Sequence, residues 1–589
     1  MRLKSVRQNR YPKKRPKAYP SGWTGKLAAV LFYARRKALQ GFKYAPGMWL
    51  NNMGLSNKTA TNTRTSTGTV FDPEGLVVTT EPGEISIEGA RRERNIATSL
   101  TTHSITVESG RTYQISCEGD NASTVVLSGA ATGTLTNDGS DRQAFNTAKT
   151  ATTTTLALTV AGALTALQAQ DVTGRANTAP SDNILAATDY GYGVPGVKYY
   201  NTTNGNTVVN NGLVEAEGAD IPLAPAPQVS MQPARTNLFI RSSEMDDVAW
   251  TKTAISTSPG QSGFAGYSES VSLVPTAASS SHWFSQYIAA TSDEEYSFSL
   301  IVKPAGYDVF QVTGSNGFNT SYTNYILSGE GSVGSKTAST QKSTITALAD
   351  GSYFIEHTDV ATATGQARAL FSVLQSDVAA RLPAYSGDGV SGVWIAHAGV
   401  DEGSTATSPI KTTTAPVTRD NDLIEVADFS NWAPTTSGIM LFAFTPSGDW
   451  AALGAEQLVY GGASANLLFR SANDDGLKAT DGTSTPSILG GHTPGTEVIA
   501  SVYFDASINI FQIGYYEMDN ATQHWDASPA TFTTLTVDPE LIIVKILDGA
   551  VTIRGLQIFN GMPPSGVDQA SIEAWVEATQ EAKINERQS

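Results

Sequence analysis

The sequence predicts an all-β chain of tandem β-sandwich (jelly-roll) modules, and three observations carry that prediction. Charged residues make up only 16 % of the chain, whereas it holds 53 glycines and abundant Thr, Ser, Ala and Asn, a composition of short strands and turns. Runs such as Ser104-Ile-Thr-Val107, Tyr296-Ser-Phe-Ser-Leu-Ile-Val302 and Glu497-Val-Ile-Ala-Ser-Val-Tyr503 have strand length and strand patterning, with turn residues between such runs. At 589 residues the chain exceeds what one hydrophobic core organises. Roughly 100–200 residues per domain gives about three to five modules.

The first element is a basic arm, residues 1–45. From Met1 to Phe71 there are 15 Lys or Arg and no Asp or Glu; the net charge is −16, so with those 15 positive charges set aside the remainder carries −31. An acidic body disfavours nonspecific nucleic-acid and anionic-lipid binding, while an acid-free arm seeks a negative partner surface. Arg2, Lys4, Arg7, Arg10, Lys13, Lys14, Arg15 and Lys17 are followed by Trp23, Phe32, Tyr33 and Phe42. Bulky apolar residues beside bases favour burial in a protein interface over a free solubilising tail or contacts to nucleic acid. The apolar run from Leu27 to Ala34 is closed by Arg35, Arg36 and Lys37; it is too short to span a bilayer and lacks a signal-peptide cleavage site. Thr24 and Gly41 suit the ends of a short helix there.

Residues 46–95, rich in Asn, Thr, Gly and Pro, read as a connector with short strands around Leu76-Val-Val-Thr-Thr80 and Ile85-Ser-Ile87. Residues 96–170 read as a small β-sandwich with turns at Glu108-Ser-Gly110 and Asn137-Asp-Gly139. Its Cys117, the chain's one cysteine, is expected to be a buried small hydrophobe, which leaves no intramolecular disulfide and suits manufacture in a reducing cytoplasm. Residues 171–232 form a second connector, rich in Gly, Asn and Pro and ending in Pro222-Leu-Ala-Pro-Ala-Pro227. Residues 233–419 carry enough alternating strands for a two-sheet jelly roll, and 420–589 repeat the texture before a short C-terminal helix over 568–583.

Within the fifth segment, Ala234-Arg-Thr-Asn-Leu-Phe239, Asp246-Asp-Val-Ala-Trp-Thr-Lys252, Leu273-Val-Pro275 and Tyr385-Ser-Gly-Asp-Gly-Val-Ser-Gly-Val-Trp394 occur in order. Together they resemble a carbohydrate-binding-like sandwich common in bacteriophage fibre and particle-surface proteins. The region from Ile105 to Gln170 is similar to a shorter relative, and the region from Asp420 onward resembles the concanavalin A-like sandwiches that follow such modules. The resemblance implies a virion appendage or tail-fibre subunit, made in the host cytoplasm and displayed on the particle surface. It implies a homo-oligomer, with trimerisation by analogy. The arm itself resembles no family; its charge and aromatic content lead to the expectation that its bases and Trp23 anchor the chain to tail, portal, collar or capsid proteins, while the resemblance implies that the sandwiches meet a host-surface glycan. A head-decorating or collar fibre of mainly structural role is the alternative. A polysaccharide depolymerase is a third reading, and the solenoid repeat of a parallel β-helix is missing from the sequence.

A sugar-binding face needs aromatic rings that stack on a pyranose, and Trp283, Tyr287, Trp450 and Trp525 are the candidates, each also suited to closing a sandwich core. No catalytic constellation is read. The acidic pairs Asp246-Asp247, Asp293-Glu-Glu295, Asp401-Glu402 and Asp474-Asp475 place neighbours on opposite faces of a strand, whereas a glycosidase needs carboxylates converging across a cleft. Asn473-Asp-Asp475 retains a weak calcium-like pattern. Gly191-Tyr-Gly-Val-Pro-Gly196 and Gly387-Asp-Gly-Val-Ser-Gly392 match a dinucleotide pattern without its strand-to-helix context and read as turns. The six histidines show no metal-ligand spacing, so no metal, cofactor or membrane partner is expected.

Overall fold

The computed structural model describes residues 60–136, 142–146, 154–173 and 228–426 apart from a few loop residues, with the strands lying between 190 and 216 and between 437 and 560. The arm, both expected helices and the acidic motif 473–475 lie outside these residues. Among the described residues every regular element is a strand, so the chain is all-β as its composition predicts.

The central sandwich stacks two six-stranded antiparallel sheets. One runs Thr251–Thr253, Trp283–Ala290, Gly365–Leu374, Val309–Ser315, Tyr322–Ile326 and Ser332–Lys336 in spatial order. The other runs Ile255–Pro259, Val271–Pro275, Gly392–Glu402, Glu295–Ala305, Tyr353–Val360 and Lys342–Ala347. Alternation sends Phe284 and Ile288, Phe310 and Val312, and Phe371 and Val373 inward from the first sheet to meet Phe298, Leu300 and Val302 of the second. Phe239 and Trp250 close one end of this core, their ring centroids 5.0 Å apart in an edge-to-face arrangement that favours aromatic pairs.

The two outer faces of this sandwich differ. On the second sheet Ile301 and Ala396 point away from the core, and Phe264, Ala265 and Tyr267 bury them. The hairpin Gly68–Phe71 and Val77–Thr80 packs over the same face, with Phe71 5.1 Å from Phe354 and the Val77 amide donating to the Ala265 carbonyl at 3.0 Å. Gly266 permits this approach: its φ is +80°, and a Cβ there would stand 2.6 Å from the Val77 carbonyl oxygen. Among the described residues, the outer face of the first sheet has no such cover along the strand Trp283–Ala290.

The small module pairs a three-stranded sheet, Arg142–Asn146, Thr112–Gly119 and Leu164–Asp171, with a four-stranded one, His103–Thr106, Thr155–Ala161, Thr124–Gly129 and Gly133–Thr136. Ile115, Val125, Leu135, Leu158 and Ala169 fill its core, and Cys117 is buried among them.

The segments read as connectors do more than connect. In the C-terminal region two seven-stranded sheets take strands from far upstream: Ala60–Asn62 pairs at one edge with Leu423–Val426, and Gln228–Met231 pairs with both the edge strand Ile87–Glu88 and Val551–Asn560. Arg91–Arg94 pairs with Val197–Tyr200. Buried polar contacts fix this junction. Arg64 and Asp422 form an ion pair at 2.8 Å, Asn62 Nδ2 donates to Asp422 at 2.8 Å, and the Gln232 amide donates to Asp422 at 3.0 Å. Arg92 grips Glu84 through two hydrogen bonds of 2.7 and 2.8 Å. A sequence cut at 95 or 232 misses the ties to Asp422 because Arg64 and Gln232 lie 358 and 190 residues from it.

Candidate functional site

Residues two apart on a strand share a face. Phe284, Ile288 and Ala290 enter the core, so Trp283, Ser285 and Tyr287 stand on the outer face of the first sheet. On the adjoining strand Ala367, Ala369 and Phe371 point inward, which turns Arg368 outward directly opposite Tyr287. The Arg368 guanidinium carbon lies 4.5 Å from the centroid of Trp283 and 5.1 Å from that of Tyr287, and Nε donates to Ser285 Oγ at 3.0 Å. Asn316 Nδ2 donates to the Tyr287 hydroxyl at 3.3 Å, and Tyr287 remains 41 % exposed.

A loop over residues 375–386 covers the rest of this face. Asn324 Nδ2 donates to the carbonyls of Asp377 and Ala379 at 2.9 and 2.8 Å, and the Leu382 amide donates to Gln311 Oε1 at 2.8 Å. Arg381 reaches from the loop onto the strand Val309–Ser315, donating to Thr313 Oγ1 at 2.9 Å and to the Gly314 carbonyl at 2.7 Å. Ser315 is the cross-strand partner of Arg368, so the two arginines occupy adjoining parts of one face.

Of the four aromatic residues nominated from sequence, Trp283 and Tyr287 are brought together. Trp283 is partly buried beneath a guanidinium, which makes it neither a core residue nor a freely open stacking platform. Trp525 ends the strand Thr522–Trp525, in register with Gly514 in a different sheet. Trp450 and the arm residues Arg2 to Trp23 lie outside the described residues. Arg368 was missed: its strand reads as a plain alternating segment, and the pairing that places it between two rings is not encoded locally.

The other motifs resolve into local structure. Asp247 accepts from the Ala249 amide at 2.8 Å and pairs with Arg241, a self-contained turn. Asp401 is buried while its neighbour Glu402 faces out and accepts from the Tyr296 hydroxyl at 3.2 Å, opposite faces as strand geometry requires. Asp388 caps the turn that opens the strand Gly392–Glu402, accepting from the Val390 and Ser391 amides, so that glycine-rich stretch leads into a strand and not a helix.

A second concavity, a cleft of about 290 Å³, is lined by the hairpin, by Arg92 and Arg94, and by Glu108, Arg111, Tyr113 and Asp171. Arg111 stands between two carboxylates, 2.8 Å from Glu108 and 2.9 Å from Asp171. Burial pushes the Glu108 pKa up, but the adjacent guanidinium outweighs it and holds the carboxyl below its ordinary range. Among the described residues no three His, Cys, Asp or Glu side chains converge on a point where a metal ion would be held.

No family model matches the chain, and no curated protein matches it. Among solved structures it is similar to a Bacteroides ovatus protein provisionally described as carbohydrate-binding, at 9% identity and a TM-score of 0.18 over 47% of this chain and 79% of the other. It is also similar to two domains of the mouse laminin alpha1 chain, at 10% identity and a TM-score of 0.16 over 48% of this chain and 86% of the other. A third likeness is to a tail fibre protein of an E. coli phage, at 7% identity and a TM-score of 0.15 over 58% of this chain and 42% of the other. At scores this low the likenesses assign neither a family nor a function.

Proposed function

We propose that the chain is a particle-surface adhesion protein of the phage-appendage type, held to the virion by residues 1–45 and binding a host-surface glycan on the outer face of its central sandwich. The observation that carries this reading is the row Trp283, Arg368 and Tyr287. It is an aromatic and cationic surface on the outer face of the first sheet, in a sandwich whose other outer face is covered by a hairpin. Aromatic rings and a planar guanidinium give contact area and directed donors at small entropic cost, which is what recognition of a sugar surface requires.

The protein acts by binding and not by catalysis. A glycosidase needs a carboxylic acid that keeps its proton near neutral pH, facing a second carboxylate. In the charged cleft Arg111 neutralises both candidates and lowers the pKa of Glu108, the opposite of what a general acid needs.

A glycan array probed with the intact chain and with the W283A/Y287A double variant tests the reading. Binding by the intact chain that is lost in a folded double variant supports it; equal binding by both removes this face from the function.

A further inference from the structure

We propose that this face selects carboxylated glycans, those carrying uronic or sialic acid residues, with Arg368 as the carboxylate-binding group and Arg381 adding positive charge beside it. The inference rests on the glycan-binding reading above and names its ligand class.

The aromatic row differs from a bare stacking platform in one respect. A neutral pyranose stacks on an open ring face, yet a face of Trp283 already holds a guanidinium 4.5 Å from its centroid, and the same group leans on Tyr287. What the row presents outward is therefore a cation backed by two rings.

That cation also has no carboxylate paired with it among the described residues. Arg64, Arg91, Arg92, Arg94, Arg111 and Arg241 each form an ion pair with a carboxylate. Neither Arg368 nor Arg381 has a carboxylate partner among the described residues, in a chain whose net charge is −16. Arg368 spends Nε on Ser285, and its two terminal nitrogens have no protein acceptor among the described residues. A guanidinium has five N–H donors in a fixed fork that matches a carboxylate with two parallel hydrogen bonds. Here the fork is held by Ser285 and two rings, so little side-chain entropy remains to be lost on binding. Partial burial of Arg381 lowers its pKa with no counter-charge to offset the desolvation, which leaves it ready to gain from an incoming anion. The fork of Arg368 matches the planar geometry of one carboxylate, and Arg381 beside it makes phosphate the competitor that the test must exclude.

The test compares binding of the full chain to polysialic acid, hyaluronan and polygalacturonate with binding to the same polymers after reduction of their carboxyl groups to alcohols. A phosphorylated mannan serves as the phosphate control. The expected result is binding to at least one acidic polymer that falls roughly tenfold or more on carboxyl reduction and in R368M, falls less in R368K, and weakens as salt is raised. Thermal melting of each variant confirms that it is folded. Equal binding to reduced and unreduced polymers, or binding unaffected by R368M, overturns the carboxylate assignment and leaves the glycan reading standing. Preference for the phosphorylated mannan overturns it in favour of phosphate. Binding to no polymer of the panel, acidic or reduced, while a neutral glycan on the array is bound through Trp283 and Tyr287, overturns it as well; silence of the array too removes both.

Discussion

Tyr287 is the exposed member of the candidate face, so its replacement separates binding from stability. Y287A is expected to cost about 1 kcal/mol or less, for the contact with Arg368 and the Asn316 hydrogen bond, while weakening glycan binding. Urea unfolding alongside glycan titration checks both halves. A second residue-scale expectation concerns pH. Burial drives His357 and His397 down to about 3 and Asp359 and Asp401 up to about 6. A histidine kept neutral in the fold contributes stability that is complete above its unfolded value of 6.5 and is lost as pH falls toward 3. An aspartate that keeps its proton in the fold stabilises in acid, and that contribution is lost as pH rises from 3.8 to about 6. The two slopes oppose each other across the acid range. Relative to wild type, H397F should therefore gain more stability at pH 5 than at pH 7, and D359N more at pH 7 than at pH 5. Urea midpoints at both pH values moving the same way in the two variants would contradict this assignment.

Among the elements, the hairpin of residues 68–80 and the short edge strands carry the least visible part of the fold. Breaking a buried ion pair by removing one partner costs about 3–5 kcal/mol, because the other charge is left buried and unmatched. R64M should therefore destabilise the junction of Ala60–Asn62, Gln228–Met231 and Leu423–Val426 by that order, read as a fall in the denaturant midpoint. G266A, which forces a side chain into a left-handed backbone against Val77, should cost about 1–3 kcal/mol and loosen the hairpin from the second sheet. Limited proteolysis within 68–80 would show the loosening. These elements also mark where sequence reading stopped. The long strands announce themselves through alternation, and Trp283 and Tyr287, four residues apart on one of them, were each nominated from sequence. A three-residue strand such as Ala60–Asn62 carries no period, and where a short strand was legible, at Ile85-Ser-Ile87, its partner Gln228–Met231 lies beyond any local window. The same limit hid Arg368, whose role comes from its register opposite Tyr287, and hid the match of Arg64 with Asp422.

At the scale of the whole molecule, a basic arm precedes an acidic body whose central sandwich carries an aromatic and cationic face. Removal of residues 1–45 should leave a folded chain, since the described strands begin at Ala60, yet one that no longer joins particles. A cut at 95 would instead take away the buried Arg64 and Glu84 contacts. Appendage function further predicts assembly into trimers of the 62.1 kDa chain, which sedimentation velocity measures directly. The most direct test of the central claim is a crystal structure of the full chain with an oligosaccharide recovered from the glycan array. The account predicts sugar on the outer face of the six-stranded sheet, in contact with Tyr287 and with its carboxylate on Arg368. Sugar bound in the cleft beside Arg111, or on another module with this face empty, would contradict it.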